Sequence, residues 1–228
     1  SDEHALAGSS LLASQMSTCF IDNPPLFPII TYRGAIFTLE FGLDAWSPFF
    51  CGVVALLAFD SISRNTSSDK AHERIQFGRQ MQELARGMLE KPVTTRGRTK
   101  ALQALTHVAP WTRPIEEGIE LAQATFRSGY ETGDLLYGSY GAIHFAMQGF
   151  AAGMNLDVYR GKLADYRESL QRTGQKTTPQ WLSIHLQAVE NFKALSPNPA
   201  DLSGTQLDED EWLPAARAAK DVTGLHVF

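Results

Sequence analysis

Apolar residues recur along most of this chain at the three-and-four spacing of helices, and no stretch sustains the alternation of a strand. Tyr159, Leu163, Tyr166 and Leu170 step by 4, 3 and 4 and so share one helix face. The same steps place Phe77, Met81, Leu84 and Met88 on one face of a helix opened by Ser68-Asp69. Ile115, Ile119, Ala122, Phe126 and Tyr130 line another, and Trp181, Ile184, Ala188 and Phe192 a further one, opened by Thr178-Pro179. Boundary residues separate these faces. Asn23-Pro24 offers a cap followed by Pro at the first helical position, and Gly42 ends the helix that follows. Asp44 or Ser47 caps the next, with Pro48 in its first turn rather than its interior. Pro110 is expected to break a helix that starts near Arg98. Gly133 suits the left-handed C′ position of the helix before it, and Asp134 and Asn155 cap the two helices after it. About eight to ten helices with short connections are expected, so consecutive ones should be antiparallel neighbours. Ser196 to Gly204 reads as a linker, and a short helix follows over about Glu211 to Asp221.

The helices also repeat. Gly42–Phe59 laid on Gly133–Phe150 without a gap matches Gly42 with Gly133, Trp46 with Tyr137, Phe49 with Tyr140, and Phe59 with Phe150. Small residues coincide as well: Cys51 with Ala142 and Ala55 with Ala146. The offset of 91 residues is two units of about 45, in the period range of stacked helix-pair solenoids. The fold class expected is therefore all-α, with antiparallel helix pairs stacked as a TPR-like α-solenoid. Residues 1–195 would form the repeat domain, and 196–228 a linker with a short C-terminal helix that could begin a following segment.

Composition narrows the function. Of 228 residues, 43% are hydrophobic, and 20 Lys+Arg against 25 Asp+Glu give a net charge of −5. That apolar content excludes a disordered chain, and the absence of a basic stripe argues against a dedicated nucleic-acid binder. Cys19 and Cys51 are too few for a disulfide framework and read as small buried hydrophobes, with a reduced compartment as the default. The longest uncharged apolar run, Ala45 to Phe59, falls short of the ~20 residues that span a bilayer, so no membrane insertion is expected. The acidic start Ser1-Asp2-Glu3-His4 does not read as a signal peptide and looks like the cut edge of a longer, cytoplasmic chain.

No motif with a catalytic mechanism is present. GxxxxGK[ST], GxGxxG after a strand, HExxH and an EF-hand loop are all missing, and the six histidines are dispersed. His144 and His107 read as packed residues. Glu116-Glu117 and Asp208 to Glu211 fall at helix starts, where acids complement the dipole. Lys91, Arg96, Arg98 and Lys100 read as a solvated face, Ser61, Ser63, Thr66, Ser67 and Ser68 as a flexible loop, and Trp46, Trp111, Trp181 and Trp212 as packing. No catalytic, cofactor-binding or metal-ligating residue is assigned, and no cofactor is expected.

One stretch is more specific. His107-Val108-Ala109-Pro110-Trp111-Thr112-Arg113-Pro114 leads through a helix to Tyr130-Glu131-Thr132-Gly133-Asp134-Leu135-Leu136-Tyr137-Gly138-Ser139-Tyr140. It resembles the helical repeat region of large signalling proteins that join a serine/threonine kinase, a STAND-type ATPase and a sensor histidine kinase in one chain. The segment with Asn23-Pro24, Tyr32 and Phe41-Gly42 resembles the preceding unit of that region. The resemblance implies a non-catalytic scaffold, spacer or regulatory segment of a multidomain signal-transduction kinase of bacterial or fungal type. Its partners would be other modules of the same chain or a protein or peptide. Kinase and ATPase activity would belong to other modules, since none of their motifs occurs here. Alone, the segment would be monomeric or weakly associating, with exposed apolar ends. Two alternatives stay open. A stand-alone TPR-like peptide-binding module needs a concave groove lined by Asn, Lys or Arg with aromatics. An all-α enzyme needs a pocket that brings His144 or His107 to a carboxylate.

Overall fold

A computed structural model describes residues 3–62, 66–193, 198 and 200–227. The described residues form eleven α-helices and one 3₁₀ helix, with no strand among them. The helices are α1 (Glu3–Asp22), α2 (Leu26–Phe41), α3 (Ser47–Asp60), α4 (Ser68–Leu89), α5 (Arg98–Thr112) and α6 (Ile115–Thr132). They continue with α7 (Leu135–Ala151), α8 (Leu156–Arg172), α9 (Thr177–Phe192), α10 (Glu209–Ala218) and α11 (Val222–Val227), and the 3₁₀ helix spans Pro92–Gly97. The chain divides into two compact units, residues 1–141 and 142–228, with the division inside α7.

In the first unit α3 is apolar on every side, and such a helix must be covered all round. Eleven of its fourteen residues are buried, and α2, α4 and α5 pack against it. Asp44 starts it: Oδ1 accepts the backbone N–H groups of Trp46 and Ser47, both at 2.8 Å, and the Ser47 hydroxyl at 2.9 Å. Contacts fix the directions of neighbouring helices. Phe20 meets Phe27 and Thr31 meets Met16, so α1 and α2 run antiparallel. Phe59 stacks on Trp111 with ring centroids 5.9 Å apart, and Gly52 faces Ala104. That constant offset makes α3 and α5 parallel. Thr99 hydrogen-bonds Ser128 and Thr132 at 2.8 and 2.9 Å, and Thr106 meets Thr125 at 3.0 Å. These hydroxyl pairs fasten α5 antiparallel to α6.

Four local expectations change. The buried face of α4 is Gly78, Gln82, Ala85 and Leu89, whereas Phe77 and Leu84 are exposed. Close approach decides this: a Cβ on Gly78 would lie 2.6 Å from the Phe59 ring, so the helix presses its smallest residue on that ring. On α6 the most buried positions are likewise small or hydroxylic, Gly118, Ala122, Thr125, Ser128 and Gly129. A Cβ on Gly129 would meet the Cα of Gly138 at 2.4 Å, so backbone touches backbone where α6 crosses α7. Next, α5 does not stop at Pro110 but runs through it to Thr112, and the Arg113 N–H closes the last turn on the Ala109 carbonyl. Pro110 removes one donor within the final turn, and the Phe59–Trp111 stack lies just beyond it. α2 begins at Leu26, with Asn23 supplying only its carbonyl to the Leu26 N–H. Gly133 takes φ +77°, the left-handed C′ conformation expected of it.

In the second unit α8 buries Tyr159, Leu163 and Leu170, as their spacing predicts. The Asn155 side chain caps it by accepting from the N–H groups of Asp157 and Val158. Arg160 pairs with Glu190 and Arg167 with Ser183, so α9 lies antiparallel. Of the linker read at 196–204, residues 196, 197 and 199 lie outside the described residues, as does Ser63 of the serine-rich loop. The remainder is tied to α9: Asn191 donates to the Asp201 carbonyl at 2.8 Å, and Gln187 accepts the Gln206 N–H at 3.0 Å. Asp208 caps α10, which starts two residues before the expected Glu211. The Trp181 indole donates to Asp221 at 2.8 Å.

Candidate functional site

The acidic groups occupy the helix starts expected of them. Asp208 accepts from the N–H groups of Asp210 and Glu211, Glu209 accepts the Leu202 N–H at 3.0 Å, and Glu117 pairs with Arg86 at 3.5 Å. Each is engaged with backbone or a counter-charge. His107 is partly buried on α5. Burial lowers its pKa, and the nearby Asp60 carboxylate pulls it partly back. His144 is partly buried on α7. Cys19 and Cys51 are both buried and free, and burial pushes the Cys51 thiol up to about 11, so it stays protonated and unreactive at neutral pH.

The basic stretch departs from a solvated face most at Lys100, while the exposed Arg96 lies with Cζ 5.9 Å from the Trp46 centroid. Lys100 lies with its Nζ 4.0 Å from the centroid of Tyr137 and about 6 Å from those of Phe49 and Trp46. Its ammonium also donates to the Ala13 carbonyl at 3.3 Å. Cation–π attraction holds a charge over ring faces where little water competes. Burial lowers the Lys100 pKa, and Asp134 opposes the shift. Tyr137 accepts from the Ser17 hydroxyl at 2.7 Å, and burial raises its phenol above the usual value. The cluster thus ties α1, α3, α5 and the start of α7 through one cation. Nothing in the local sequence marks Lys100 apart from Lys91, because its three rings come from residues 46, 49 and 137.

In the second unit a polar cluster surrounds Glu190. Burial would raise its pKa. Hydrogen bonds from Thr205, Gln206 and Arg160, with the Arg160 charge, outweigh that and hold it below the usual carboxylate range. His185 lies nearby on α9 with Nδ1 3.1 Å from the Tyr159 hydroxyl, which donates to the Ala146 carbonyl at 2.8 Å. Nδ1 must therefore carry the proton, and Nε2 is buried with no partner. Burial pushes the His185 pKa down to about 4.

Depressions among the described residues include the following two. One of about 40 Å³ is lined by Ala5, Leu6, Phe37, Phe41, Leu43 and Asp44, too small for a cofactor. The other, about 340 Å³ and open to solvent, is lined by Gln171, Gln175, Lys176, Pro179, Gln180 and Ser183. Neither is lined by His107 or His144. Among the described residues no group of three or more His, Cys, Asp or Glu could hold a metal ion, and no helix is long and apolar enough to cross a membrane.

The most unusual surface is the outer side of α2. Phe27, Ile30, Thr31 and Gly34 face inward, while Ile29, Tyr32, Ile36 and Leu39 are exposed at 63, 46, 41 and 85%. Leu26 and Phe41 are exposed beside them. An apolar helix covered on only one side presents a surface that water solvates poorly, which in folded proteins marks a place of contact. The 3-4-3 spacing is visible in the sequence. Its outward orientation is not, because both sides of α2 are apolar. Comparisons with protein-family models, with curated proteins and with solved structures return no match.

Proposed function

We propose that the chain is a non-catalytic interaction segment, a TPR-like helical scaffold or spacer within a larger signal-transduction kinase. The exposed apolar stripe on α2 carries this reading, since an uncovered face of that size is what a docking element needs and an enzyme interior does not. Two features support the repeat character. Consecutive helices in the first unit pack antiparallel, and α3 and α5 run parallel, the alternation that stacked helix pairs require. The chemistry-bearing clusters around Lys100 and Glu190 have their charges paired with rings, carbonyls or counter-ions, as in packing roles. The parentage rests on the likeness of the His107–Tyr140 stretch to the repeat region of those kinases. The reading frame on either side of residues 1 and 228 tests it. Kinase or STAND-type ATPase motifs upstream, or a histidine-kinase core downstream, are expected. A start codon and a stop codon at the two borders would overturn the multidomain part.

A further inference from the structure

The outer face of α2 can be matched by a reversed copy of itself. We propose that a second copy of this chain covers it, with the two α2 helices packed antiparallel across a two-fold axis. The inference rests on reading this face as a docking surface. A two-fold interface has to be complementary to itself. The 3-4-3 spacing of Ile29, Tyr32, Ile36 and Leu39 reads the same in both directions. Reversing it on a second copy therefore sets Ile29 opposite Leu39 and Tyr32 opposite Ile36, each twice. Alternating steps of 3 and 4 are those of helices packed side by side, and the stripe runs along about 15 Å of the helix.

Area points the same way. At the exposures given above the four side chains offer roughly 500 Å² of surface. With Leu26, Arg33 and Glu40 at the edge fully covered the ceiling is roughly 750 Å² per copy, enough for two copies to clear the ~1,000 Å² total of a small specific interface. Charge does not oppose the pairing. Arg33 lies near the axis, but it is paired within its own helix to Glu40 at 3.5 Å and sits over the Phe37 ring at 4.4 Å. The edge is thus neutral in each copy. An interface of this size without a buried polar anchor falls at the weak, micromolar end of the range that such areas span.

Sedimentation equilibrium of the 228-residue chain over about 1–100 µM tests the proposal. A monomer–dimer equilibrium is expected, weakened at least about a hundredfold by Leu39→Asp, which would bury an unpaired charge. Circular dichroism of that variant should match the parent because Leu39 is exposed. Phe77→Ser, on the exposed side of α4, should leave dimerisation unchanged. Mixing Tyr32→Cys and Ile36→Cys chains under oxidation should give the mixed disulfide in preference to either homotypic one. A chain that stays monomeric throughout, a dimer indifferent to Leu39→Asp, or preferential homotypic cross-links would overturn self-pairing. So would a monomer that co-sediments with phosphatidylserine vesicles. None of these outcomes bears on the flanking reading frame, which tests the parent function separately.

Discussion

Helices α2 and α8 have sixteen and seventeen residues, and each packs through a stripe of buried side chains, α2 antiparallel to α1 and α8 antiparallel to α9. Their outer sides differ. On α8 the outward positions include Arg160, Lys162 and Glu168, and one large hydrophobic residue, Val158, is exposed. On α2 they are Ile29, Tyr32, Ile36 and Leu39, with one Arg–Glu pair at the edge. Packing inward is thus equally well served by both, and only the water side distinguishes a helix that is finished from one that still has a face to cover. The means of holding the neighbour differ too. α1–α2 relies on rings and a Met, whereas α8–α9 adds the partly buried His185 and the buried Glu190, whose charge states matter.

Three measurements would break or sharpen this contrast. The largest effect should come from inside α8–α9. Leu182→Ala, at a fully buried position, should cost about 2–5 kcal/mol in urea unfolding. Leu39→Ala on the exposed stripe should stay within about 0.5 kcal/mol for the monomer. Equal costs at the two sites would mean that the face of α2 is already covered within one chain.

The second effect is a pH dependence in which His185 on α9 has the largest part and His107 on α5, lowered in the same direction, adds to it. His185 is neutral in the folded protein down to about pH 4. The unfolded chain takes up that proton near pH 6.5, so the unfolded state binds more protons between these values and stability falls as pH falls through the window. The loss should approach about 3 kcal/mol, and His185→Leu should flatten it. Glu190 has a depressed folded pKa, so its contribution is present above the unfolded value of about 4.3 and is lost as pH drops through the folded one. Glu190→Gln should remove that acid limb alone. A profile unchanged by both variants would assign the pH sensitivity elsewhere.

The smallest effect is at the surface pairs. Arg172→Ala on α8, which breaks an exposed pair with Glu168, and Arg33→Ala on α2 should each change monomer stability by less than about 1 kcal/mol. A larger loss from Arg33→Ala would show that its seat on Phe37, rather than the ion pair, carries the contact.

Much of this fold can be read from the chain, and the exceptions share a cause. The face of α8 follows its apolar spacing because it packs through large side chains, Tyr159, Leu163 and Leu170. The faces of α4 and α6 do not, because those helices meet their neighbours through Gly78, Gln82, Gly129 and Ser128. A hydrophobicity pattern gives such residues little weight, yet they lie where axes come closest. Pro110 misleads for a related reason, since a helix within one turn of its end loses little by omitting a donor. Asp44, Gly133 and Asn155 were legible because capping is local chemistry. Lys100 was not, since its setting is assembled from residues far apart in the chain.

The contact of Gly129 with Gly138 has a consequence for how such a sequence could diverge. With only hydrogen on both sides, the gap between α6 and α7 is gauged by main chain and not by the choice of any residue. Substitutions elsewhere on the two rods can accumulate without altering their separation. A single methyl at this crossing would wedge them apart, and no neighbour could shrink to make room.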